Sequence, residues 1–138
     1  MTPKAKDKVN HAPAYLDKIS RETFDKLKEQ ILHAVVVEKR YRDRFFTAKQ
    51  LAALLHTNTR YVSIVLSVRY HANFSQFVNR LRIEEAMALL QDQRYANLRI
   101  DEISDMVGFS NRQTFYRAFC QIAQKTPREY QESLGLDK

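Results

Sequence analysis

Glycine and proline are scarce in this chain, with 2 and 3 among 138 residues. An all-β domain built on tight turns needs more of both, so a mostly helical chain is expected. The two glycines, Gly108 and Gly135, stand too far apart to form a phosphate-cradling loop or a dinucleotide fingerprint. There is one cysteine, Cys120, which rules out an internal disulfide and fits a reducing compartment. It also leaves no thiol pair for zinc, and His11, His33, His56 and His71 lack metal-ligand spacing. No stretch approaches the ~18 apolar residues of a membrane span. The opening MTPKAKDKVN has no apolar core of a secretory signal. The expectation is a cytoplasmic protein without cofactor, metal or enzymatic activity. The acidic pairs Glu84-Glu85 and Asp101-Glu102 read as solvated or dipole-favoured acids, not as a catalytic pair. Cys120 reads as a small residue at a helix edge; the alternative is a redox thiol favoured by Arg117.

What is present fits a folded domain with a charged partner. Hydrophobic residues make up 44% and charged residues 28%, a balance that argues against disorder. The net charge of +7 points to a polyanion.

Residues 1–19 carry Lys4, Lys6, Lys8, Pro3 and Pro13 without apolar periodicity and read as a flexible basic tail. From Ser20, a plausible cap, Phe24, Leu27, Ile31, Ala34 and Val35 mark one face of an amphipathic helix running to about Arg40. Thr47 and Gln50 then form a capping box ahead of Leu51, Leu54 and Leu55. Thr57 or Asn58 can cap the next helix, from about Thr59 to Arg69, with Val62, Val65 and Leu66 inward. Two short helices joined by a tight turn make a helix-turn-helix unit. A longer helix, about Phe74 to Gln91, has apolar residues on more than one stripe, as a bridge between two cores requires. The pattern then repeats. Ile100, Ile103 and Val107 lead to Gly108 at a left-handed cap. Ser110 can cap a helix from Asn111 to about Gln124 with Phe115, Phe119 and Ile122 inward. Thr126-Pro127 opens a last helix holding Tyr130 and Leu134.

At ~100° per residue, the outward faces follow from the inward ones. In the second unit Gln113 and Arg117 point away from the core, flanked by Arg112, Tyr116 and Cys120. Arg matches guanine and Gln matches adenine in the major groove, while an ordinary solvated face is the alternative. In the first unit the same construction turns out Arg60, Ser63, Ile64 and Ser67. An exposed Ile64 would suit thymine methyl groups, with packing against the tail or a partner as the alternative.

The run GFSNRQTFYRAFCQIAQKTPREY resembles the second recognition helix and closing segment of AraC/XylS-type regulators. Upstream, TNTRYVSIVL and NFSQFVNRLRIEEAMALL resemble their first recognition helix and linker helix. The resemblance spans about residues 28 to 134. It implies an all-α fold: an N-terminal amphipathic helix and two helix-turn-helix subdomains joined by a long linker helix. The divisions expected are 20–72, 73–91 and 98–135, within a DNA-binding domain of 20–135. It implies base-reading positions at Arg60, Ser63 and Ile64, to which the outward face adds Ser67, and at Arg112, Gln113, Tyr116 and Arg117. Phosphate contacts are expected near Asn58, Thr59 and Asn111, at helix N-termini.

The expected partners are double-stranded DNA and, for an activator, RNA polymerase, with a sensor domain or partner protein supplying regulation. Met1 favours a complete chain; the other reading is the output end of a longer regulator. The chain departs from the family pattern at Ile64, His71-Ala72, Ser104, Cys120, Gln124 and Gln131. Of these, an exposed Ile64 and the missing basic residues at Cys120 and Gln131 support a second function, a protein-interaction module that keeps the fold and modulates another regulator or polymerase.

Overall fold

A computed structural model describes residues 19–135, and every α-helix in it starts at a polar cap or an extended residue. Helix α1 (Arg21–Ile31) begins where the Ser20 side chain accepts the Thr23 amide, 3.0 Å away. It does not run on as α-helix to Arg40: the wider π form takes over at Leu32–Val37, and Lys39 turns left-handed at φ 55°. A short 3₁₀ turn follows at Arg40–Arg42. Helix α2 (Ala48–Leu54) opens on the reciprocal Thr47–Gln50 box. Leu54 is exposed, and Ala52 takes the inward place beside Leu51. Helix α3 (Thr59–Tyr70) is capped by Asn58. Helix α4 (Phe74–Gln91) opens on a second reciprocal box, Asn73 with Gln76.

A 3₁₀ turn at Gln93–Tyr95 leads to α5 (Ile100–Val107), closed by Gly108 at φ 108°. Helix α6 (Arg112–Ala123) is capped by Asn111, not by Ser110 as the sequence suggested. Helix α7 (Pro127–Ser133) starts behind Thr126 with proline in its first turn. All regular elements among the described residues are helical. Apart from Ile19, the expected basic tail lies outside them.

Two apolar cores result. The first gathers Leu27 and Ile31 of α1, Tyr41, Leu51, Val62, Val65 and Leu66, with Phe77 and Val78 of α4. The second gathers Ile83, Ala86 and Leu90 of α4 with Ile103, Val107, Phe109, Phe115 and Phe119. Phe115 meets Phe109 and Phe119 edge to face at 5.3 and 5.7 Å. Each ring buried in this way contributes about 1.5–3 kcal/mol. Helix α4 thus supplies its first half to one core and its second half to the other, so neither unit is complete without it.

Candidate nucleic-acid interface

In each unit the helix that follows the turn leaves one strip to solvent. On α6 the inward side is fixed by Phe115, Ala118 and Phe119. The strip opposite holds Gln113, Arg117 and Cys120, all exposed. Among the described residues, Gln113 makes no side-chain hydrogen bond and Arg117 no ion pair, so both are free to meet a ligand. Tyr116 is only half-buried, its ring edge-on to Phe115 at 5.7 Å. Arg112 is exposed, yet its guanidinium lies against the Asp101 carboxylate of α5. To contact a base it must first leave that partner. The Asn111 side chain accepts the Thr114 amide at 2.8 Å, leaving the earlier amides of the first turn facing solvent. That end carries the positive pole of the helix dipole, suited to phosphate.

On α3 the expectation fails at one position. Arg60, Ser63 and Ser67 are exposed, as are Asn58 and Thr59 at the N-terminus. Ile64 is 2% exposed and cannot offer its side chain to a thymine methyl in this conformation. The inward direction had been set by Val62, Val65 and Leu66 alone. Helix α3 packs against α1 as well as α2 and α4, so its buried arc is wider than that stripe. At ~100° per residue the arc runs from Ile64 through Tyr61 and Val65 to Leu66. What remains outside is narrow: one guanidinium, two small hydroxyls and the capped N-terminus.

Two departures from the family pattern fall at special backbone positions. His71 ends α3 at φ 53° and Gln124 ends α6 at φ 63°. Both hold the left-handed conformation that glycine adopts without strain. Cys120 stays on the exposed strip of α6.

The polar contacts that tie the two units together left no mark in the sequence pattern. Glu85 of α4 accepts the Tyr41 hydroxyl at 3.0 Å and Arg42 Nε at 2.9 Å, with Lys39 Nζ at 3.5 Å. Burial alone would raise the Glu85 carboxyl; the hydrogen bonds from Arg42 and Tyr41, with the charges of Arg42 and Lys39, outweigh it and hold it below the ordinary range. Burial and the bond to Glu85 push the Tyr41 hydroxyl up to about 12. These partners lie 43 and 44 residues apart, beyond any local periodicity.

A helix-turn-helix domain model matches residues 51–133. The chain is 29% identical over 92 residues to an uncharacterized HTH-type transcriptional regulator, YobQ, of Bacillus subtilis. That match takes in 67% of this chain but 37% of the relative, so the chain spans a little over a third of its length. The C-terminal domain of the two-component response regulator yesN from Fusobacterium nucleatum superposes with a TM-score of 0.63 at 28% identity. The superposition covers 78% of this chain and 96% of that one. An AraC-type transcriptional regulator from Chromobacterium violaceum shares the fold, with a TM-score of 0.67 at 18% identity over 83% and 99% of the two chains. With the matched segment running from Leu51 within α2 to the end of α7 and the doubled unit around α4, the chain belongs to the AraC-type helix-turn-helix family of DNA-binding transcription regulators.

Proposed function

We propose that this chain binds double-stranded DNA sequence-specifically and places α3 and α6 in successive major grooves. The observation that carries the reading is the pair of solvent-facing strips, one behind each turn, on units that share α4 as a common wall. Gln113 and Arg117 are the principal base readers, with Arg112 joining once freed from Asp101 and Tyr116 bordering the strip. Arg60, Ser63 and Ser67 read from α3, with Asn58, Thr59 and Asn111 at the phosphate-facing helix ends. Ile64 supports α3 from within and takes no part in reading. The second unit therefore carries more of the sequence discrimination than the first.

The proposed organisation is 20–72 for the α1 segment and first unit, 73–91 for the linker, and 98–135 for the second unit. An activator role with RNA polymerase as partner follows by family analogy, as do a cytoplasmic location and a sensor outside the matched region. The protein-interaction reading leaned on an exposed Ile64 and on the missing basic residues at Cys120 and Gln131, and the burial of Ile64 removes the first of these supports.

The test is selection of bound sites from random DNA, followed by footprinting. Two protected segments centred about 10 base pairs apart are expected, one helical turn of ~34 Å. Inserting five base pairs between them puts the segments on opposite faces and should abolish specific binding. Unchanged affinity after the insertion would reduce the model to one reading unit.

A further inference from the structure

Arg82 and Glu85 lie on neighbouring faces of α4, one turn apart, and both reach back to the same short turn in front of the first unit. Arg82 donates through Nε to the Tyr41 carbonyl at 2.6 Å and through Nη2 to the Asp43 carbonyl at 3.1 Å. Its guanidinium also sits 5.6 Å from the ring centroid of Phe109, a buried residue of the second core. Glu85 gathers Tyr41, Arg42 and Lys39 as described. Gly108 closes the arrangement from the other unit. A Cβ there would stand 2.5 Å from the Tyr41 carbonyl oxygen and 2.8 Å from that of Arg42. At the rim Arg44 pairs with Asp105 of α5 at 3.8 Å. One turn thus touches the first core through Tyr41, the linker through Arg82 and Glu85, and the second unit through Gly108 and Asp105, while Arg82 itself reaches Phe109.

The other side of α4 is open. Arg80, about 160° around the helix from Arg82, borders a cleft of about 800 Å³ between the units. Its walls include Val36, His71, Gln76, Gln121 and Ile122. The units are pinned on one side of the linker and free to approach on the other.

We infer that the Lys39–Arg44 turn is a clasp that holds the two reading helices at one separation, with Arg82 and Glu85 as its positioning residues. The clasp thereby sets the spacing between the two DNA segments that the protein accepts. This rests on the two-groove reading above.

The first arm of the test needs no DNA. Spin labels on native Cys120 and on an introduced Ser63→Cys, both exposed, report the separation of α6 and α3 by double electron–electron resonance. A single narrow distance is expected, broadened or shifted by Glu85→Gln and by Arg42→Met. If Glu85→Gln fails to fold, Arg42→Met carries the test, since Arg42 is largely exposed.

In the second arm, unlabelled protein is titrated with bipartite sites whose segments lie about 8 to 12 base pairs apart, bracketing one helical turn. The wild type should show a sharp optimum. Either variant should lose about tenfold there while keeping its affinity for a lone α6 segment, so the optimum flattens. A merely structural role would weaken both kinds of site together. A narrow, unmoved distance in both variants overturns the clasp, whatever the DNA arm gives. A broadened distance in a protein whose wild type ignores spacing overturns the two-groove reading and the spacing role with it.

Discussion

Truncating Arg117 and truncating Ile64 should have opposite consequences, because one side chain is exposed and the other is enclosed. Arg117→Ala should leave the melting temperature unchanged and cost about 1–3 kcal/mol at the preferred site, less on random DNA. Ile64→Ala should cost about 2–5 kcal/mol of stability while leaving base preference intact. Melting curves and competition binding check both, and a stable Ile64→Ala with altered base preference would return Ile64 to the reading face. The left-handed residues give a second expectation. A side chain in that conformation costs about 1–2 kcal/mol, partly offset by the greater entropy of unfolded glycine. His71→Gly should therefore stabilise by about 0.5–1 kcal/mol, a rise of a few degrees in Tm. Gln124→Gly should gain less, because it also removes the Gln124 hydrogen bond to the Gln121 carbonyl at 3.0 Å. Two calorimetric scans settle the order.

Helix α4 was legible end to end. Its expected span, about Phe74 to Gln91, is the one observed, and apolar residues on more than one stripe announce two neighbours. The exit of α1 was not, since nothing in LHAVVVEKR marks where α-helix gives way to π and then to a left-handed lysine. The α5–α6 turn separates two kinds of glycine. Gly108 has a positive φ and also sits beneath two carbonyl oxygens, whereas Gly135, at φ 67°, has nothing within 4 Å of a would-be Cβ. Gly135→Ala should cost only the backbone strain, about 1 kcal/mol. Gly108→Ala must also displace the Tyr41–Arg42 backbone, so its cost should exceed the ~3 kcal/mol upper range of strain alone. Urea unfolding of the two variants measures the difference. Equal losses would mean that the turn yields freely.

At the scale of the whole molecule, the contacts of Glu85 make stability depend on pH at both ends. Its carboxyl is held below the ordinary value of 4.5, so its contribution is complete above that value and lost as pH falls through the depressed one. Tyr41 has the opposite sign. Raised from 10.0 to about 12, its neutral form stabilises the fold below pH 10 and that contribution fades as pH rises toward 12. Glu85→Gln should therefore lower stability at neutral pH, and its difference from wild type should shrink below the ordinary carboxylate range. Urea unfolding at graded pH measures this. A difference that is constant from pH 3 to pH 7 would deny the ion pair its part.

The helical class, the doubled unit and the outward phase of α6 were determined by the sequence alone. All three follow from the repeat of apolar residues along one helix and from caps within three or four residues, and such information is local. The burial of Ile64 was decided by tertiary structure, because the width of the buried arc depends on α1, α2 and α4 all packing on α3, which the periodicity of α3 does not encode. The same holds for Arg82 and Glu85. Their hydrogen-bond partners lie 39 to 44 residues away in the chain, and a charged residue on a helix looks alike whether it faces water or a turn folded back from far upstream.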